Sequence, residues 1–456
     1  MYILPKGTEI TIPLLQEFLD KHRQEVDSRF KQLKAAYESD HEIKHYDPKP
    51  SYKPDNRIVV NFAKYIVDTF GGFFIGNPIK TVSDDSKVAE YVEHLEQYND
   101  QDDNNAELSK LMDIFGKGYE VYFTDEESEL CITYMSPMEA FMIHDDSIVQ
   151  RPLFFVRRWT DRENTEYGCI QDKTHERHFK VTGGLQWLDE WQPHRFSDVP
   201  AVEFILNEER QGLFEPILSV INAYNKAISE KANDVDYFAD AYLKILGVAL
   251  DEDGVKHIRS NRIINFEGDN AEKLTVEFMG KPESDTAQEN LLNRLERLAF
   301  QISMVANISD ETFGTASGIA LKYKLLPMMN LSRIKERKFV SGMNRRYKIL
   351  FSHPASKVQK DAWMLLDYQF TPNIPANILE EAQIAAQLEG VVSDETKLKV
   401  LSIVDNVEEE LKRIEEENKP AESTIVDEMM FGNGAVANSA TTTAPVEEEV
   451  IDNGTD

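Results

Sequence analysis

The sequence predicts an α+β, multi-domain fold with long helices, an N-terminal α/β region with antiparallel strands, a small strand-containing insert and a helical C-terminal part. The chain has 456 residues, which is enough for several hydrophobic cores. Apolar residues make up 41% and charged residues 29%, as in soluble folded proteins. Helical periodicity dominates, but it gives way to short β-rich runs between about 119 and 206.

The N-terminal region begins with helical patterns. Prolines exclude helix from residues 48–54. Asn56 is then a candidate N-cap, and the pair Gly71-Gly72 is expected to end the helix that follows. The predicted helices cover 11–38, Asn56 to Phe70, 85–98 and 105–116.

Short β-rich runs separated by polar turns follow, which predicts an antiparallel meander. The clearest runs are 120–124, 130–134, 153–159 and 178–181.

Two long helices are then expected to bracket a compact insert. Pro216 suits a helix start and Gly247 suits a position just past a helix end. Thr286 and Glu289 form a capping box that starts the second helix. The segments are a helix over 215–246, an insert over 247–284 with candidate strands at 262–266 and 274–278, and a helix over 285–305.

The helical pattern stops over 306–318, which is small, polar and glycine-bearing, and resumes to about Leu350. Pro327 is expected to kink this last helix. The remaining elements are a β-like segment at 363–370, helices at 376–389 and 394–418, and a disordered acidic tail over 420–456.

The net charge of −31 argues against a protein that grips nucleic acid by neutralising phosphates, but not against one that lets DNA slide. The charge is uneven, because residues 319–350 carry nine basic side chains and one acidic side chain, Glu336. We interpret this basic helix as a solvated or salt-bridged face, with contact to DNA or to an acidic neighbouring subunit as the alternative. Residues 401–456 carry fifteen acidic and three basic side chains.

Cys131 and Cys169 give no disulfide framework and no metal cluster, so we expect synthesis in a reducing cytoplasm. No stretch approaches the ~20 apolar residues of a membrane span, and the N-terminus has no signal-peptide layout. We therefore expect no membrane association and no cofactor.

The segment His41-Glu42-Ile43-Lys44-His45 fits the H-E-x-x-H pattern of zinc hydrolases, in which two histidines on one helix face bind the metal. Its polar flanks and the prolines that follow favour a loop instead. The zinc-dependent hydrolase stays open as an alternative function. The cluster Asp100, Asp102 and Asp103 allows a cation site, although a solvated loop is the simpler interpretation.

Residues 71–76 have the glycine spacing of a phosphate loop, but Asn77-Pro78 stands where Lys-Ser/Thr is required. We interpret the segment as a glycine helix stop that enters a strand. The chain therefore shows no ATPase motif of its own.

Three segments, in this order along the chain, carry a family resemblance. They are Asn56-Arg57-Ile58-Val59-Val60-Asn61-Phe62-Ala63-Lys64-Tyr65-Ile66-Val67-Asp68 continuing through Ile79, Ala223-Tyr224-Asn225-Lys226-Ala227 followed by Asn233-Asp234 and Ala241-Tyr242-Leu243, and residues 285–350. With these segments, roughly residues 35–350 resemble the portal proteins of tailed double-stranded-DNA bacteriophages, particularly those of Gram-positive hosts.

The resemblance implies the phage portal fold and a division of the chain into its parts. These are a wing (1–214), a stem helix (215–246), a clip (247–284), a second stem helix (285–305), a tunnel loop (306–318), a long kinked wing helix with the crown base (319–375), a helical crown (376–419) and the acidic tail (420–456).

The resemblance also implies a function. The chain would form a ring homo-oligomer, expected to be a dodecamer, at one capsid vertex of the virion, after assembly in the host cytoplasm. Double-stranded DNA would pass through without sequence specificity. The implied partners are the terminase large subunit, capsid and scaffolding proteins, and head-completion or connector proteins. Such a protein is a conduit and not an enzyme; a non-portal oligomeric scaffold remains a further alternative.

The tunnel loop is the first site that the resemblance implies. Acidic and small groups there would repel phosphate and avoid sequence-specific hydrogen bonds. The candidate residues are Asn307, Ser309, Asp310, Glu311, Thr312, Phe313, Gly314 and Thr315.

Two further sets of residues follow from the same resemblance. Gly318 and Pro327 are candidates for a hinge or kink in the helix after the loop. The clip would face the packaging motor and later the head-completion proteins. Its candidate partner-binding residues are Asp251, Glu252, Asp253, Lys256, Arg259 and Arg262.

Overall fold

The computed structural model describes residues 1–50, 53–239, 243–246, 275–278, 285–309, 318–374, 378–401, 403–404 and 406–417. The chain divides into two compact units, Met1–Asn373 and Ile374–Asp456. The first unit combines long helices with mainly antiparallel sheets, and the described part of the second is helical. The predicted α+β class is confirmed.

The described residues of the first unit form eight α-helices. They are α1 (Ile12–Glu25), α2 (Lys31–Tyr37), α3 (Phe62–Ile75), α4 (Ser86–Tyr98), α5 (Gln101–Phe115), α6 (Leu218–Ala239), α7 (Asp285–Ser303) and α8 (Gly318–Leu350).

The strands of the first unit are short, and most lie between α5 and α6. They are β1 (Tyr2–Leu4), β2 (Lys80–Ser83), β3 (Lys117–Thr124), β4 (Leu130–Met135), β5 (Ala140–Asp145), β6 (Pro152–Thr160), β7 (Glu166–Gln171), β8 (His175–Val181), β9 (Leu185–Trp187), β10 (Gln192–Pro193), β11 (Ala201–Ile205), β12 (Leu243–Leu246), β13 (Thr275–Phe278) and β14 (Leu366–Gln369).

The strands form four sheets in the described residues. The largest has the order β1-β5-β6-β7-β8-β10, with β9 also paired to β8. Strands β5 to β8 make an antiparallel meander, as predicted, and β1 adds to its edge in parallel. The others are β11-β3-β4, β2 with β14, and β12 with β13.

Three buried regions position these elements: a small one joins β3 and β11 to β5 and β6, and two larger ones involve helices. In one, the apolar face of α1 packs under the large sheet, with Leu15, Leu19 and Phe141 fully buried. The main core joins α2 to α5 with β3, β4, β11 and α8. Helix α8 passes so close to β11 that a Cβ at Gly342 would overlap the ring of Phe204. The long helix is therefore fixed to the sheet along its C-terminal half.

The predicted helix over 11–38 is confirmed, with a π-helical turn at Val26–Phe30 between α1 and α2. The predicted helices near 85–98 and 105–116 correspond to α4 and α5, although α5 starts four residues earlier, at Gln101.

The predicted bounds of α3 are wrong at both ends. Its N-cap is Asn61, whose side chain accepts a hydrogen bond from the Lys64 N–H at 2.8 Å. The helix continues through Gly71-Gly72, which do not adopt the left-handed backbone of a glycine cap. The buried side chains of Phe73 and Phe74 hold those glycines in the helix. The segment is thus neither a phosphate loop nor a helix stop.

The predicted helix over 215–246 is also wrong at its C-terminal end. A 3₁₀ turn at Glu215–Ile217 precedes α6, and Leu243–Leu246 is strand β12, antiparallel to β13. A four-residue segment with three apolar residues fits either periodicity, and pairing with β13 gives this backbone its hydrogen bonds. The candidate strand at 274–278 is confirmed as β13, whereas that at 262–266 lies outside the described residues.

Helix α7 confirms the predicted helix over 285–305, ending two residues early, and α8 confirms the helix after the loop. Pro327 lies inside α8, which continues past it. Because proline lacks an N–H, the Tyr323 carbonyl loses its helical partner there. The predicted strand at 363–370 corresponds to β14.

The second unit contains α9 (Ile378–Gln387), α10 (Asp394–Leu398) and α11 (Val407–Glu417). The prediction of one helix over 394–418 is wrong, because the side chain of Asn406 accepts from the Glu409 N–H at 3.2 Å and starts a new helix. The predicted tail over 420–456 lies outside the described residues.

Candidate functional site

The base of the loop between α7 and α8 lies where three parts of the chain meet. They are the segment from Asn56 into α3, helix α6, and the end of α7 with residues 304–309. These are the segments that carry the family resemblance. Their contacts show what holds the loop in place.

An extended segment before α3 binds one face of α6. Alternate backbone N–H groups donate to side-chain oxygens spaced four residues apart on the helix, which places those oxygens on one face. The pairs are Asn56 to Asn233 (2.6 Å), Ile58 to Ser229 (2.9 Å) and Val60 to Asn225 (2.8 Å). The three α6 side chains, here called the α6 ladder, are buried. They satisfy a backbone that forms no sheet in this segment.

Aromatic rings join α3, α6 and α7 next to the ladder. The Phe62 ring lies edge-on to Tyr224, with centroids 4.9 Å apart, and to Phe300, with centroids 5.6 Å apart. The Tyr65 ring also lies edge-to-face with Phe300, with centroids 5.6 Å apart. Edge-to-face pairs of this kind favour one relative orientation of the three helices.

The loop leaves α7 through Met304, whose φ of 61° is left-handed, and is then fixed by side chains. The Ile308 N–H donates to the Tyr65 hydroxyl at 3.1 Å, and that hydroxyl lies 3.4 Å from Ser309 Oγ. Asn307 Nδ2 donates to Glu296 Oε1 at 3.0 Å. The loop base is therefore tied to both α3 and α7.

The structure places two of the eight predicted loop residues, Asn307 and Ser309, at this base. The other six, Asp310 to Thr315, lie outside the described residues, as do all six predicted clip residues between Asp251 and Arg262. Gly318 is the first residue of α8 and Pro327 lies nine residues further along it. Their role as a hinge stays a prediction.

The sequence does not identify the residues that hold the loop base, chiefly Tyr65 and Glu296, or the ladder residue Ser229 that binds the segment before α3. One signal was available for the ladder. Polar residues at every fourth position of an apolar-patterned helix indicate a buried polar face, because charged or amide groups are rarely buried without partners. Nothing in the sequence marks Tyr65, since a tyrosine on an amphipathic helix is ordinarily part of the core.

Helix α8 is held by buried charges. Lys335 Nζ lies 2.7 Å from Asp113 Oδ2 and donates to Ser109 Oγ at 2.7 Å, with both charged side chains fully buried. The ammonium also lies 4.6 Å from the centroid of the Phe74 ring. Burial raises the pKa of Asp113 to about 6, although Lys335 opposes the rise, and burial lowers the pKa of Lys335.

A second buried pair lies further along α8. Arg346 Nε donates to Glu120 Oε2 at 2.8 Å and its Nη2 donates to Asn105 Oδ1 at 2.7 Å. Burial disfavours the charge of Arg346, but Glu120 outweighs burial and raises the arginine pKa. The interpretation of the basic helix as salt-bridged thus holds for its inner face.

The zinc hydrolase alternative does not fit the geometry. Residues Glu42–His45 form a single 3₁₀ turn, and His41 precedes it in an extended conformation. His41 is buried, and burial lowers its pKa although Asn61 and Asn222 raise it. The exposed His45 ring instead contacts Asp40 Oδ1 at 3.0 Å. The two rings therefore share no face on which a metal could bind.

No group of three or more His, Cys, Asp or Glu side chains in the described residues is arranged to hold a metal ion. No helix among them is both long enough and apolar enough to cross a membrane.

Comparison with known proteins assigns the family. The family described as "Phage portal protein, SPP1 Gp6-like" matches residues 16–424. The portal protein of Bacillus phage SPP1 is 27% identical over 398 residues, covering 80% of this chain and 76% of that protein. The portal protein of Clostridium phage phiCD119 is 24% identical over 434 residues, covering 85% and 90%.

A solved structure, the neck of an empty GTA particle, aligns with a TM-score of 0.44 and 14% identity over 74% of this chain and 88% of that one. That likeness is too weak to support an argument, whereas the family match spans most of the chain. This chain belongs to the SPP1 Gp6-like family of phage portal proteins.

Proposed function

We propose that this chain is one subunit of a closed ring, expected to be a dodecamer, at one vertex of a phage capsid. Double-stranded DNA passes through the ring into the head and later leaves by the same route. Membership of the portal family over residues 16–424 is the observation that carries this proposal. The firmly held base of the loop between α7 and α8 supports it, because a loop beside moving DNA needs a rigid support.

The proposed parts of the ring follow the family pattern. Helices α6 and α7 form the stem, and they associate through Lys231 with Glu289 and through Gln288 Nε2 with Asp234 Oδ2 at 2.9 Å. The region before α6 together with α8 forms the wing. Residues 247–284 form the clip, and α9 to α11 belong to the crown.

In this mechanism the protein is a conduit and a docking ring, not a catalyst. The terminase large subunit docks on the clip and supplies the work of packaging by hydrolysing ATP. Head-completion and connector proteins replace it afterwards, while capsid and scaffolding proteins surround the wing. Assembly takes place in the host cytoplasm, and the ring remains in the virion.

Negative-stain electron microscopy of the full-length protein tests the architecture. We expect rings of about twelve subunits with a central hole wide enough for duplex DNA. A chain that remains monomeric up to high micromolar concentration, without and with its capsid partners, would refute the proposed ring.

A second experiment tests the tunnel loop. Replacing Asp310 and Glu311 by lysine should leave ring assembly intact and impair packaging, because cations in the tunnel would hold the phosphates instead of letting them slide. DNA protected from nuclease inside assembled heads measures this. The matched control is Glu126→Lys with Glu127→Lys, the same charge change on the exposed turn between β3 and β4. Normal packaging by the loop variant would contradict the role of the loop.

A further inference from the structure

The basic residues of α8 divide into two groups. Six of the nine have partners in the structure, and these six lie on the inner and flanking faces of the helix. They are Lys324, Lys335 with Asp113, Lys338 with Glu208, Arg345 with Asp198, Arg346 with Glu120, and Lys348 over the Trp363 ring. The remaining three, Lys322, Arg333 and Arg337, have no ion-pair partner among the described residues.

These three cations lie on one exposed side of α8, here called the outer α8 face. Arg333 and Arg337 are each two residues from Lys335, so they point about half a turn away from the buried side of the helix. Three large apolar side chains share that face. They are Tyr323, Leu326 and Ile334, exposed by 73%, 47% and 49%.

The composition of the outer α8 face favours a protein partner over DNA. Glu336 is the one acidic residue near these cations on α8, so the face carries three basic side chains against one, although the chain as a whole carries 81 acidic and 50 basic residues. Phosphate contacts need cations but gain nothing from exposed Leu326 and Ile334. A protein partner covers the aliphatic side chains and pairs the cations at once.

An acidic cleft on the same unit carries charge opposite to that of the outer α8 face. It has a volume of about 450 Å³ and lies between the end of α4 and the start of α5. Asp100, Asp102 and Asp103 line it, and these exposed carboxylates have no ion-pair partner among the described residues. The side chain of Gln101 also lines the cleft, is 98% buried, and leaves its Oε1 without a hydrogen-bond partner in that part of the chain.

The two surfaces face different directions on one subunit. Helix α5 packs against the buried side of α8 through Asp113 and Asn105, so the outer α8 face points away from α5 and its cleft. A ring closes only through a heterologous interface, in which two different surfaces of the same chain meet. A mainly basic surface on α8 and an acidic surface between α4 and α5 are two such different surfaces.

We infer that the outer α8 face of one subunit docks against the acidic cleft between α4 and α5 of the next copy of this chain. This inference rests on the proposed ring and names the surfaces that close it. Arg333 and Arg337 pair with Asp102 and Asp103 of the neighbouring copy, while Leu326 and Ile334 become buried from solvent in the interface.

Charge reversal on each side, and on both together, tests the pairing in the full-length protein. Arg333→Glu with Arg337→Glu should weaken assembly by at least about tenfold in the concentration at half assembly, because like charges then face each other. Asp102→Arg with Asp103→Arg should do the same. The quadruple variant should recover most of the lost assembly. Sedimentation velocity measures the ring fraction, and circular dichroism checks that each variant folds.

The matched control is Lys6→Glu with Lys173→Glu, which makes the same charge change at exposed positions on the large-sheet side of the unit. It should assemble like the wild type. Normal rings from both double reversals, or no recovery in the quadruple variant, would overturn the inference while leaving the proposed ring intact. Normal rings that fail to package DNA after the α8 reversal would assign that face to nucleic acid instead. A wild-type chain that forms no rings would refute the proposed function itself.

Discussion

The two long helices α6 and α8 are held to the rest of the first unit by different chemistry. On α6, the neutral side chains Asn225, Ser229 and Asn233 accept hydrogen bonds from the backbone of an extended segment. On α8, Lys335 and Arg346 pair with fully buried carboxylates. Both arrangements bury polar groups, but only the second buries charged side chains.

The difference sets how each contact responds to change. A buried neutral donor that loses its partner costs about 1–3 kcal/mol, whereas a buried charge that loses its partner costs about 3–5 kcal/mol. The α8 contacts therefore fix the helix against α5 and β3, and the contact between Lys335 and Asp113 depends on pH. The α6 contacts fix the segment that leads to the loop base and do not titrate.

The largest effect is expected at the buried pair of α8. Asp113→Ala leaves the Lys335 ammonium without its carboxylate, and the free energy of unfolding should fall by about 3–5 kcal/mol. Urea denaturation monitored by circular dichroism measures it.

The double variant Asp113→Leu with Lys335→Met is the control, because it replaces both charges with apolar groups of similar size. It should lose much less stability than Asp113→Ala. Equal losses in the two variants would show that packing, and not the unpaired charge, determines the cost.

A substitution in the α6 ladder should cost less stability than one in the buried pair of α8. Asn225→Ala removes the acceptor of the Val60 N–H and should lower the free energy of unfolding by about 1–3 kcal/mol. Lys226→Ala, at the exposed neighbouring position, should change it by less than about 0.5 kcal/mol. A loss from Asn225→Ala as large as that from Asp113→Ala would break the distinction between the two helices.

Of the contacts compared on α6 and α8, only the buried pair of Asp113 and Lys335 should change its contribution to stability with pH. Burial raises the pKa of Asp113 from an ordinary value of 3.8 to about 6, so the folded chain binds this proton more tightly than the unfolded chain. This tighter proton binding stabilises the folded chain fully below pH 3.8, and the stabilisation is lost as the pH rises through about 6. The stability of the wild type relative to Asp113→Asn should therefore fall by about 1–2 kcal/mol between pH 4 and 6.

Urea unfolding at several pH values checks this expectation. The difference in the free energy of unfolding between the wild type and Asn225→Ala should stay constant over the same pH range, because the amide does not titrate. A constant difference for Asp113→Asn would place its pKa outside this window.

Much of the helical fold was predictable because long helices repeat their apolar residues many times. The sequence locates α4, α5, α7 and α8 to within a few residues at most ends. It fails where a short segment fits two periodicities, as at Leu243–Leu246, where pairing with β13 decides in favour of a strand. It also fails at Gly71-Gly72, since the buried phenylalanines next to the pair keep it helical.

The contacts that hold the site were harder to predict than its location. The resemblance located the loop, but no sequence pattern pairs Tyr65 with Ile308, which are 243 residues apart. The same limit applies to Lys335 and Asp113, 222 residues apart. Such contacts depend on how separate helices pack, and a single sequence records periodicity along a helix but not which helix it meets.

The smallest expected effect distinguishes local order of the loop base from overall stability. Tyr65→Phe removes the hydroxyl that binds the Ile308 N–H, yet it keeps the ring against Phe300. The free energy of unfolding should change by only about 0.5–1.5 kcal/mol, the usual net contribution of one hydrogen bond. The Ile308 amide should exchange with deuterium at least about tenfold faster, because its local opening no longer breaks that bond. The matched control is Tyr37→Phe, which removes a hydroxyl that binds Asp68 on α3, the helix that also carries Tyr65. It should leave the exchange rate of the Ile308 amide unchanged. Unchanged exchange in both variants would show that Asn307 and Glu296 hold the loop base without help from α3.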